Sequence, residues 1–276
     1  MTREELVALV TELVMETLQQ KGTPPLVDIT DPEERKKPGI AAPADAEALE
    51  RMKKSTTARI GVGRCGPRLN TQTMLTLRAD HANARDAVLL DVDSTLLKEL
   101  GMFSVQTKCR DKDEYLTRPD LGRQLTEESA KTLRRRCKAT PDVQIVASDG
   151  LSSMAITENL GKLLPILNEG LGAKGIQMGT PFFVRFGRVG VEDEIAEILG
   201  AKVICILIGE RPGLGSAESM SAYICYNAHV GMPESRRTVV SNIHKNGTNA
   251  VEAGAYLVDL ISEILQARAS GIELQR

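Results

Sequence analysis

The sequence predicts an α/β protein whose sheet is mostly parallel, Rossmann-like and doubly wound, with helices on both faces. Three observations lead to this fold class. Short apolar runs alternate with longer amphipathic stretches, most regularly after residue 140, as strands joined by crossover helices do. Several of these runs end in glycine or an acidic residue, which is typical of strands that border a ligand. A chain of 276 residues is also long enough to bury a core without disulfides or metals.

The first segment of the chain is amphipathic and separate from the predicted sheet. Residues 2–20 favour a helix because six apolar residues fall on one stripe: Leu6, Leu9, Val10, Leu13, Val14 and Leu18. Residues 21–55 are polar and proline-rich, as flexible linkers are, with a short helix near Ala44–Lys53. The first helix either docks on its own domain or serves as an address tag that another protein reads. We therefore expect a helix, a linker and one α/β domain over residues 56–276.

The first half of that domain is mainly helical in its pattern. The sequence predicts a strand over Ser104–Lys108 and helices over Asn70–Arg85, Ser94–Leu100 and Thr126–Lys138. The last of these helices begins with Glu127 and Glu128 and ends in a basic cluster. Because these charges complement the helix dipole, the basic cluster needs no bound anion to explain it.

The second half alternates strictly between strand and helix. Strands are predicted over Val143–Ala147, Phe182–Arg188, Val203–Ile208 and Thr238–Asn242. Helices are predicted over Ser152–Leu171, Glu192–Leu199 and Thr248–Ala267. This order is what a parallel sheet covered on both faces requires.

Composition excludes several classes of function. The net charge of −2 gives no reason to expect a nucleic acid or an anionic membrane as partner. Tryptophan is absent, and no apolar run approaches the length that spans a bilayer. The five cysteines contain no C-x-x-C pair, so neither a disulfide framework nor a zinc site is indicated. A reducing cytoplasm is the expected location.

The candidate ligand site lies where the predicted strands end. Asp149, the segment Gly187–Val189, Glu210 and the segment Val239–Asn242 occupy these ends, and parallel strands bring their carboxyl ends to one edge. Asp149 and Glu210 could form a pair of acids there, or each could only accept hydrogen bonds. The loop that follows Glu210 is not a phosphate cradle, because no lysine follows Gly215 and Pro212 removes a backbone N–H.

Three other patterns are weak. The segment Gly61–Gly66 matches G-x-G-x-x-G, but Pro67 follows at once and Asp80 falls inside a predicted helix. A turn that positions Arg64 and Arg68 is therefore the simpler interpretation.

The segment Asn242–Gly247 differs by one residue from D-x-H-x-x-G, a motif that ligates the cobalt of cobalamin. Asparagine lacks the charge that polarises the histidine, so we expect His244 to close a turn or lie at an interface. The three histidines have no metal-ligand spacing, and we identify no catalytic set.

Six longer stretches resemble the small (light) subunit of ethanolamine ammonia-lyase. They are "RPDLGRQL" (118–125), "PDVQIVASDGLS" (141–152), "GTPFFVRFGRVGVEDEIAEILGAKV" (179–203), "ILIGERPGLGSAESMS" (206–221), "SNIHKNGT" (241–248) and the final "ASGIELQR". The resemblance runs from about residue 55 to the end of the chain. Long shared runs are far more specific than any of the short motifs above.

The resemblance implies a function and a partner. The enzyme of this family converts ethanolamine to acetaldehyde and ammonia with adenosylcobalamin. The resemblance further implies that cobalamin lies between this chain and a large TIM-barrel subunit, which carries the catalytic residues. It also implies that large–small heterodimers assemble into a multimer. It also implies that the N-terminal helix is an encapsulation tag where a bacterial microcompartment is present.

The resemblance implies that three residues occupy the cobalamin-contact positions of the family. These are Val189, Glu210 and Val239, and a different small residue can stand at the last position in relatives. The carboxylate of Glu210 suits the amide side chains at a corrin edge, because charged acceptors bind N–H groups strongly. The alternatives are a stand-alone nucleotide or nicotinamide enzyme on a Rossmann-like sheet, and a purely structural partner of a larger chain.

Overall fold

The computed structural model describes residues 7, 11, 28–29, 31–56 and 58–275. The chain divides into two compact units, Met1–Ala79 and Asp80–Arg276. Val7 and Thr11 are helical, and the rest of the helix predicted over residues 2–20 lies outside the described residues. The predicted boundaries at residues 20 and 55 stay predictions.

The first unit contains short elements. Helix α1 spans Pro32–Lys36 and helix α2 spans Ala46–Lys54, which confirms the helix predicted near Ala44–Lys53. Asp45 caps α2 by accepting a hydrogen bond from the Ala48 N–H at 2.8 Å. Strands β1 (Arg64–Cys65) and β2 (Arg68–Leu69) form a two-stranded hairpin.

Helices and one edge strand lead into the main sheet. Helix α3 spans Thr71–Leu89 and α4 spans Ser94–Glu99, followed by strand β3, Phe103–Gln106. Helix α5, Lys112–Thr117, is absent from the sequence prediction. A 3₁₀ turn at Leu121–Arg123 precedes helix α6, Glu127–Arg136, which Thr126 caps with its side chain.

The second unit is built around a six-stranded sheet. Its remaining elements are β4 (Val143–Ser148), α7 (Ser153–Ala173), β5 (Phe182–Arg185), α8 (Val191–Leu199), β6 (Val203–Gly209), β7 (Met220–Tyr226), β8 (Thr238–Ile243) and α9 (Ala250–Ala267). The strand order is β3-β5-β4-β6-β7-β8. The β3–β5, β5–β4 and β4–β6 pairs are parallel, whereas β6–β7 and β7–β8 are antiparallel.

The sheet is therefore mixed, which corrects the prediction of a mostly parallel sheet. The difference arises at β7, a strand that the sequence prediction missed. No helix lies between β6 and β7, so the chain returns beside β6 in the opposite direction, as a hairpin connection does. The α/β class itself is confirmed.

Helices cover both faces of the sheet, as predicted. One face packs against α7 and α9, with Ile145, Leu207 and Ile261 at its centre. The other face packs against α6 and α8, with Val146, Ile206 and Ile195 at its centre. The central strands β4 and β6 are buried along their whole length, so their continuous apolar runs follow from burial on two sides.

Glycine allows the two helices on the first face to approach closely. A Cβ at Gly170 of α7 would lie 2.6 Å from a methyl group of Val258 in α9. Within the described residues, no helix is long and apolar enough to cross a membrane.

Candidate functional site

The carboxyl ends of four strands lie at one edge of the sheet. Strands β4, β5 and β6 are parallel, and β8 points the same way because two antiparallel pairings separate it from β6. Asp149 follows β4, the segment 186–190 follows β5, and Glu210 follows β6. These three segments are the predicted strand ends, and the topology brings them to the same edge.

Asp149 joins the end of β4 to the segment that follows β5. Its side chain is almost fully buried, and its Oδ1 accepts hydrogen bonds from the Phe186 N–H at 2.8 Å and the Gly150 N–H at 3.1 Å. The Nζ of Lys112, a partly buried residue, lies 3.3 Å from Oδ2 as a counter-ion. Burial raises the pKa of Asp149, and the Lys112 ammonium opposes that rise. Both carboxylate oxygens of Asp149 are thus engaged by groups of this chain, which agrees with the interpretation of Asp149 as a hydrogen-bond acceptor.

Two cations enclose the ring of Tyr115 beside this network. The Lys112 Nζ lies 5.1 Å from the ring centroid, and the Arg188 guanidinium carbon lies 4.3 Å from it. Arg188 also donates a hydrogen bond to the Tyr115 carbonyl at 2.8 Å. Such contacts are favourable because the ring face is electron-rich. They hold the segment after β5 against α5.

Val189 follows a sharp turn at the end of β5. Phe186 has a φ of +59°, a left-handed conformation that ends the strand at Arg185, three residues before the predicted end. The Ser148 Oγ accepts from the Gly187 N–H at 3.1 Å and donates to the Val184 carbonyl at 2.8 Å. The turn places Val189 half-buried against the core of the α6–α8 face.

Glu210 is half-buried at the end of β6 and held by β7. Its backbone N–H donates to the Ser219 carbonyl at 2.9 Å. The Tyr223 hydroxyl donates to Oε1 of Glu210 at 2.9 Å. The other carboxylate oxygen makes no hydrogen bond to any part of the chain that the structure describes. Tyr223 therefore holds one oxygen, and the other has no donor within the described residues.

Val239 does not lie at a strand end. It is the second residue of β8, so its assignment to a carboxyl end from topology was wrong. It stands directly opposite Tyr223, which in turn stands opposite Ile206. Its side chain is 47% exposed. The strand was predicted over Thr238–Asn242, so Val239 is the second residue in the prediction as well, and only the later residues of that segment reach the end of β8.

The three predicted residues nevertheless share one face of the sheet. Val189 and Tyr223 both pack against the core of the α6–α8 face. Val239 shares the face of Tyr223 because directly paired residues point to the same side. Glu210 continues the alternation of Ile206 and Ile208, which lie in the same core. The result is an apolar, partly exposed surface with one carboxylate beside it.

A buried charge cluster connects the two ends of this surface. Arg237, just before β8, makes two hydrogen bonds of 2.9 Å to the Asp193 carboxylate. It also lies 3.0 Å from Oε1 of Glu192, which is fully buried, and 2.7 Å from Glu234. Burial raises the pKa of Glu192 well above its ordinary value. The cluster fastens the first turn of α8, which follows Val189, to the start of β8, which carries Val239.

His244 closes a turn, as expected from the sequence. The Asn246 N–H donates to its Nδ1 at 3.3 Å, and its Nε2 lies 2.7 Å from the Asn242 side-chain oxygen. Both ring nitrogens are thus engaged, and the side chain is buried. The described part of the chain contains no group of three or more histidine, cysteine or acidic residues that could hold a metal ion.

The glycine-rich segments form turns. Gly66 has a φ of +62° in the two-residue turn between β1 and β2, and Arg64 donates to the Pro67 carbonyl across it. The loop after Glu210 runs to β7 rather than into a helix, and Gly213 donates to the Ser216 carbonyl within it. Neither segment has the strand-to-helix context that dinucleotide and phosphate sites use.

Sequence reasoning missed several residues that shape the site. Tyr223 contacts Glu210 and Lys112 contacts Asp149, whereas Arg237 joins the start of α8 to the residue before β8. Only Tyr223 carried a local signal, because apolar side chains alternate with Ser221, Tyr223 and Cys225 along β7.

Comparisons with known proteins agree on one family. The family model described as ethanolamine ammonia-lyase light chain (EutC) matches residues 46–275. Three relatives bear the name ethanolamine ammonia-lyase small subunit. The one from Fusobacterium nucleatum subsp. nucleatum is 52% identical over 90% of this chain and 84% of its own. Those from Clostridium tetani and Listeria monocytogenes serovar 1/2a are 49% and 48% identical over 99% of this chain, and over 99% and 93% of their own. The resemblance found in the sequence is confirmed, and the chain belongs to the ethanolamine ammonia-lyase light chain (EutC) family, as a subunit of an ammonia-lyase.

Proposed function

We propose that this chain is the small subunit of an adenosylcobalamin-dependent ethanolamine ammonia-lyase and covers the cofactor at its interface with a large TIM-barrel subunit. The enzyme converts ethanolamine to acetaldehyde and ammonia. The observation that carries the proposal is that Val189, Glu210 and Val239 share one face of the sheet, in a chain that the family model matches over residues 46–275.

The residues present fit a corrin. The edge of a corrin bears amide side chains, and Glu210 offers a carboxylate with one oxygen fixed by Tyr223. Amide N–H groups donate strongly to such an acceptor. Val189 is half-buried and Val239 is 47% exposed, so both offer apolar contact to a large ring. His244 has both nitrogens engaged within its own turn, so it would not serve as a ligand to cobalt.

The chemistry divides between the cofactor and the two subunits. When bound, the cofactor supplies radical chemistry through its cobalt–carbon bond. Val189, Glu210 and Val239 hold the cofactor and keep water from its edge. We place substrate and catalytic residues on the large subunit.

The proposal extends to assembly and location. Large–small heterodimers form a multimer in the cytoplasm, or in a bacterial microcompartment where the organism builds one. Residues 1–20 are then an address helix, residues 21–55 its linker and residues 56–276 the cobalamin-binding domain.

Deletion of residues 1–20 should leave ethanolamine turnover unchanged and alter targeting or solubility. Lost turnover in that variant would assign the helix to the catalytic complex.

Replacement of Glu210 by alanine tests the contact. The assembled complex should bind hydroxocobalamin more weakly by about tenfold or more, since a hydrogen bond to a charged group contributes about 1.5–3 kcal/mol. Titration by visible absorption measures the affinity, and gel filtration checks that the complex stays assembled. The matched control is Glu169→Ala, which removes an exposed glutamate from α7 on the opposite face. Equal affinities in the two variants would argue against a direct contact.

A further inference from the structure

Tyr223 is the one described side chain that makes a hydrogen bond to the carboxylate of Glu210. Its hydroxyl donates to Oε1 at 2.9 Å. The residue belongs to β7, on the same face of the sheet as Glu210, and its ring packs against the core beneath. Its side chain thus reaches along the sheet from the level of Val239 to the end of β6.

The hydroxyl is a donor at physiological pH. Burial and the neighbouring Glu210 raise the pKa of Tyr223 to about 12, so the hydroxyl stays protonated. An ionised carboxylate has no hydrogen to give, which fixes the direction of the bond. The bond is also charge-assisted and therefore stronger than one between neutral groups.

The hydrogen bond to Oε1 of Glu210 also limits the positions that its second carboxylate oxygen can take. Glu210 is half-buried, and its side chain has several rotatable bonds that a ligand would otherwise have to order. The backbone of Glu210 is already anchored by the bond from its N–H to the Ser219 carbonyl. With Oε1 held by Tyr223, the rotation of the carboxylate is restricted. Preorganisation of this kind increases affinity because less side-chain entropy is lost on binding.

We propose that Tyr223 is a positioning residue that orients the Glu210 carboxylate to accept an N–H from a corrin amide. This inference rests on the proposed function. Tyr223 acts through Glu210, so the two side chains form one unit in binding.

A double-mutant cycle tests the coupling. The variants are Tyr223→Phe, Glu210→Ala and the double replacement, each assembled with the large subunit and titrated with hydroxocobalamin. Tyr223→Phe should weaken binding by about tenfold, the lower end for a charged hydrogen bond. The double variant should bind as Glu210→Ala does, because the hydroxyl has no carboxylate left to orient. In turnover, Tyr223→Phe should raise the KM for adenosylcobalamin with kcat unchanged, since the lost interaction is uniform binding.

Controls separate positioning from folding. Tyr226→Phe removes a hydroxyl from the same strand, but that ring packs against the opposite face, so it should leave affinity unchanged. Phenylalanine preserves the shape of Tyr223, and thermal unfolding of each assembled complex checks that the fold is retained.

Each outcome has a defined meaning. Wild-type affinity in Tyr223→Phe together with weak binding in Glu210→Ala would overturn the positioning role and leave the Glu210 contact intact. Additive losses in the double variant would also overturn it, because Tyr223 would then act independently. Wild-type affinity in Glu210→Ala would overturn the proposed contact itself and the role of Tyr223 with it.

Discussion

Arg237 is the residue on which the charge cluster beside the site depends. Its guanidinium is almost completely buried and faces the carboxylates of Asp193, Glu192 and Glu234. A buried ion pair is weak as a net source of stability, but removal of one partner leaves the other charge uncompensated. The cluster therefore makes the junction of α8 and β8 sensitive to single substitutions.

Replacement of Arg237 by methionine should destabilise the chain strongly. We expect a loss of about 3–5 kcal/mol, since the Asp193 carboxylate would remain buried without its cation. Denaturant unfolding of the full chain measures this change. The matched control is Arg236→Met, because Arg236 forms an exposed pair with Glu273 and should cost no more than about 1 kcal/mol. Similar losses in the two variants would mean that the cluster does not hold this junction.

The burial of Glu192 should make the free energy of unfolding depend on pH, and the direction of its pKa shift gives the sign of that dependence. Its pKa in the folded chain is raised well above the ordinary value by burial, whereas the unfolded chain releases the proton near the ordinary glutamate value of about 4.3. Its contribution to stability is fully present below that value and is lost as pH rises through the folded pKa.

Glu192→Gln should remove this dependence. The stability of the variant relative to wild type should increase as pH rises above about 4.3, by at most about 1.4 kcal/mol per pH unit. Unfolding free energies of both proteins across pH 4–8 provide the measurement. A difference that stays constant over this range would show that Glu192 titrates normally in the folded chain.

At the scale of elements, the ends of β4 and β6 approach closely because Gly209 has no side chain. A Cβ there would lie 2.0 Å from the Ser152 carbonyl oxygen and 2.4 Å from that of Asp149. Both contacts are with backbone, which cannot rotate away. The Leu151 N–H also donates to the Gly209 carbonyl at 2.9 Å, so the two strand ends are bound together directly beneath Glu210.

Gly209→Ala should therefore separate these ends. We expect a loss of about 3 kcal/mol or more, the upper range for overpacking, measured by thermal unfolding. Gly215→Ala is the control, because a Cβ at that position meets nothing within 4 Å, and its effect should stay within about 1 kcal/mol. Retention of wild-type stability in Gly209→Ala would contradict the packing described here.

The elements that the sequence predicts well are those with a local signal. Strands β4 and β6 follow from continuous apolar runs, and α6 follows from Thr126 and the acids after it. The end of β5 was placed too late, because a positive φ at Phe186 leaves no mark in the sequence of a non-glycine residue.

Strand β7 escaped prediction for a different reason. Its sequence includes Met220, Ser221 and Ala222, which favour strands less than β-branched residues do. Without β7, the pairing of Val239 with Tyr223 and the bond from Tyr223 to Glu210 could not be foreseen. Such contacts join residues through the register of the sheet, which a single sequence does not specify.

At the scale of the whole molecule, the second unit is a sheet with helices packed on both faces. The core of the α6–α8 face is apolar, and the Lys112–Asp149 and Arg237–Asp193 pairs flank the surface that carries Val189, Glu210 and Val239. We infer that the unit serves as a rigid cover for a large cofactor rather than as a catalyst by itself. The membership of the chain in a light-chain family is consistent with this division.

We propose that this chain and a large subunit together hold cobalamin more tightly than either subunit does alone. Titration of hydroxocobalamin by visible absorption, with this chain alone, the large subunit alone and the assembled complex, tests it most directly. We predict tight binding by the complex, at least tenfold weaker binding by either subunit alone, and a loss of affinity in the complex that carries Glu210→Ala. Equal affinity of the large subunit with and without this chain would contradict the account.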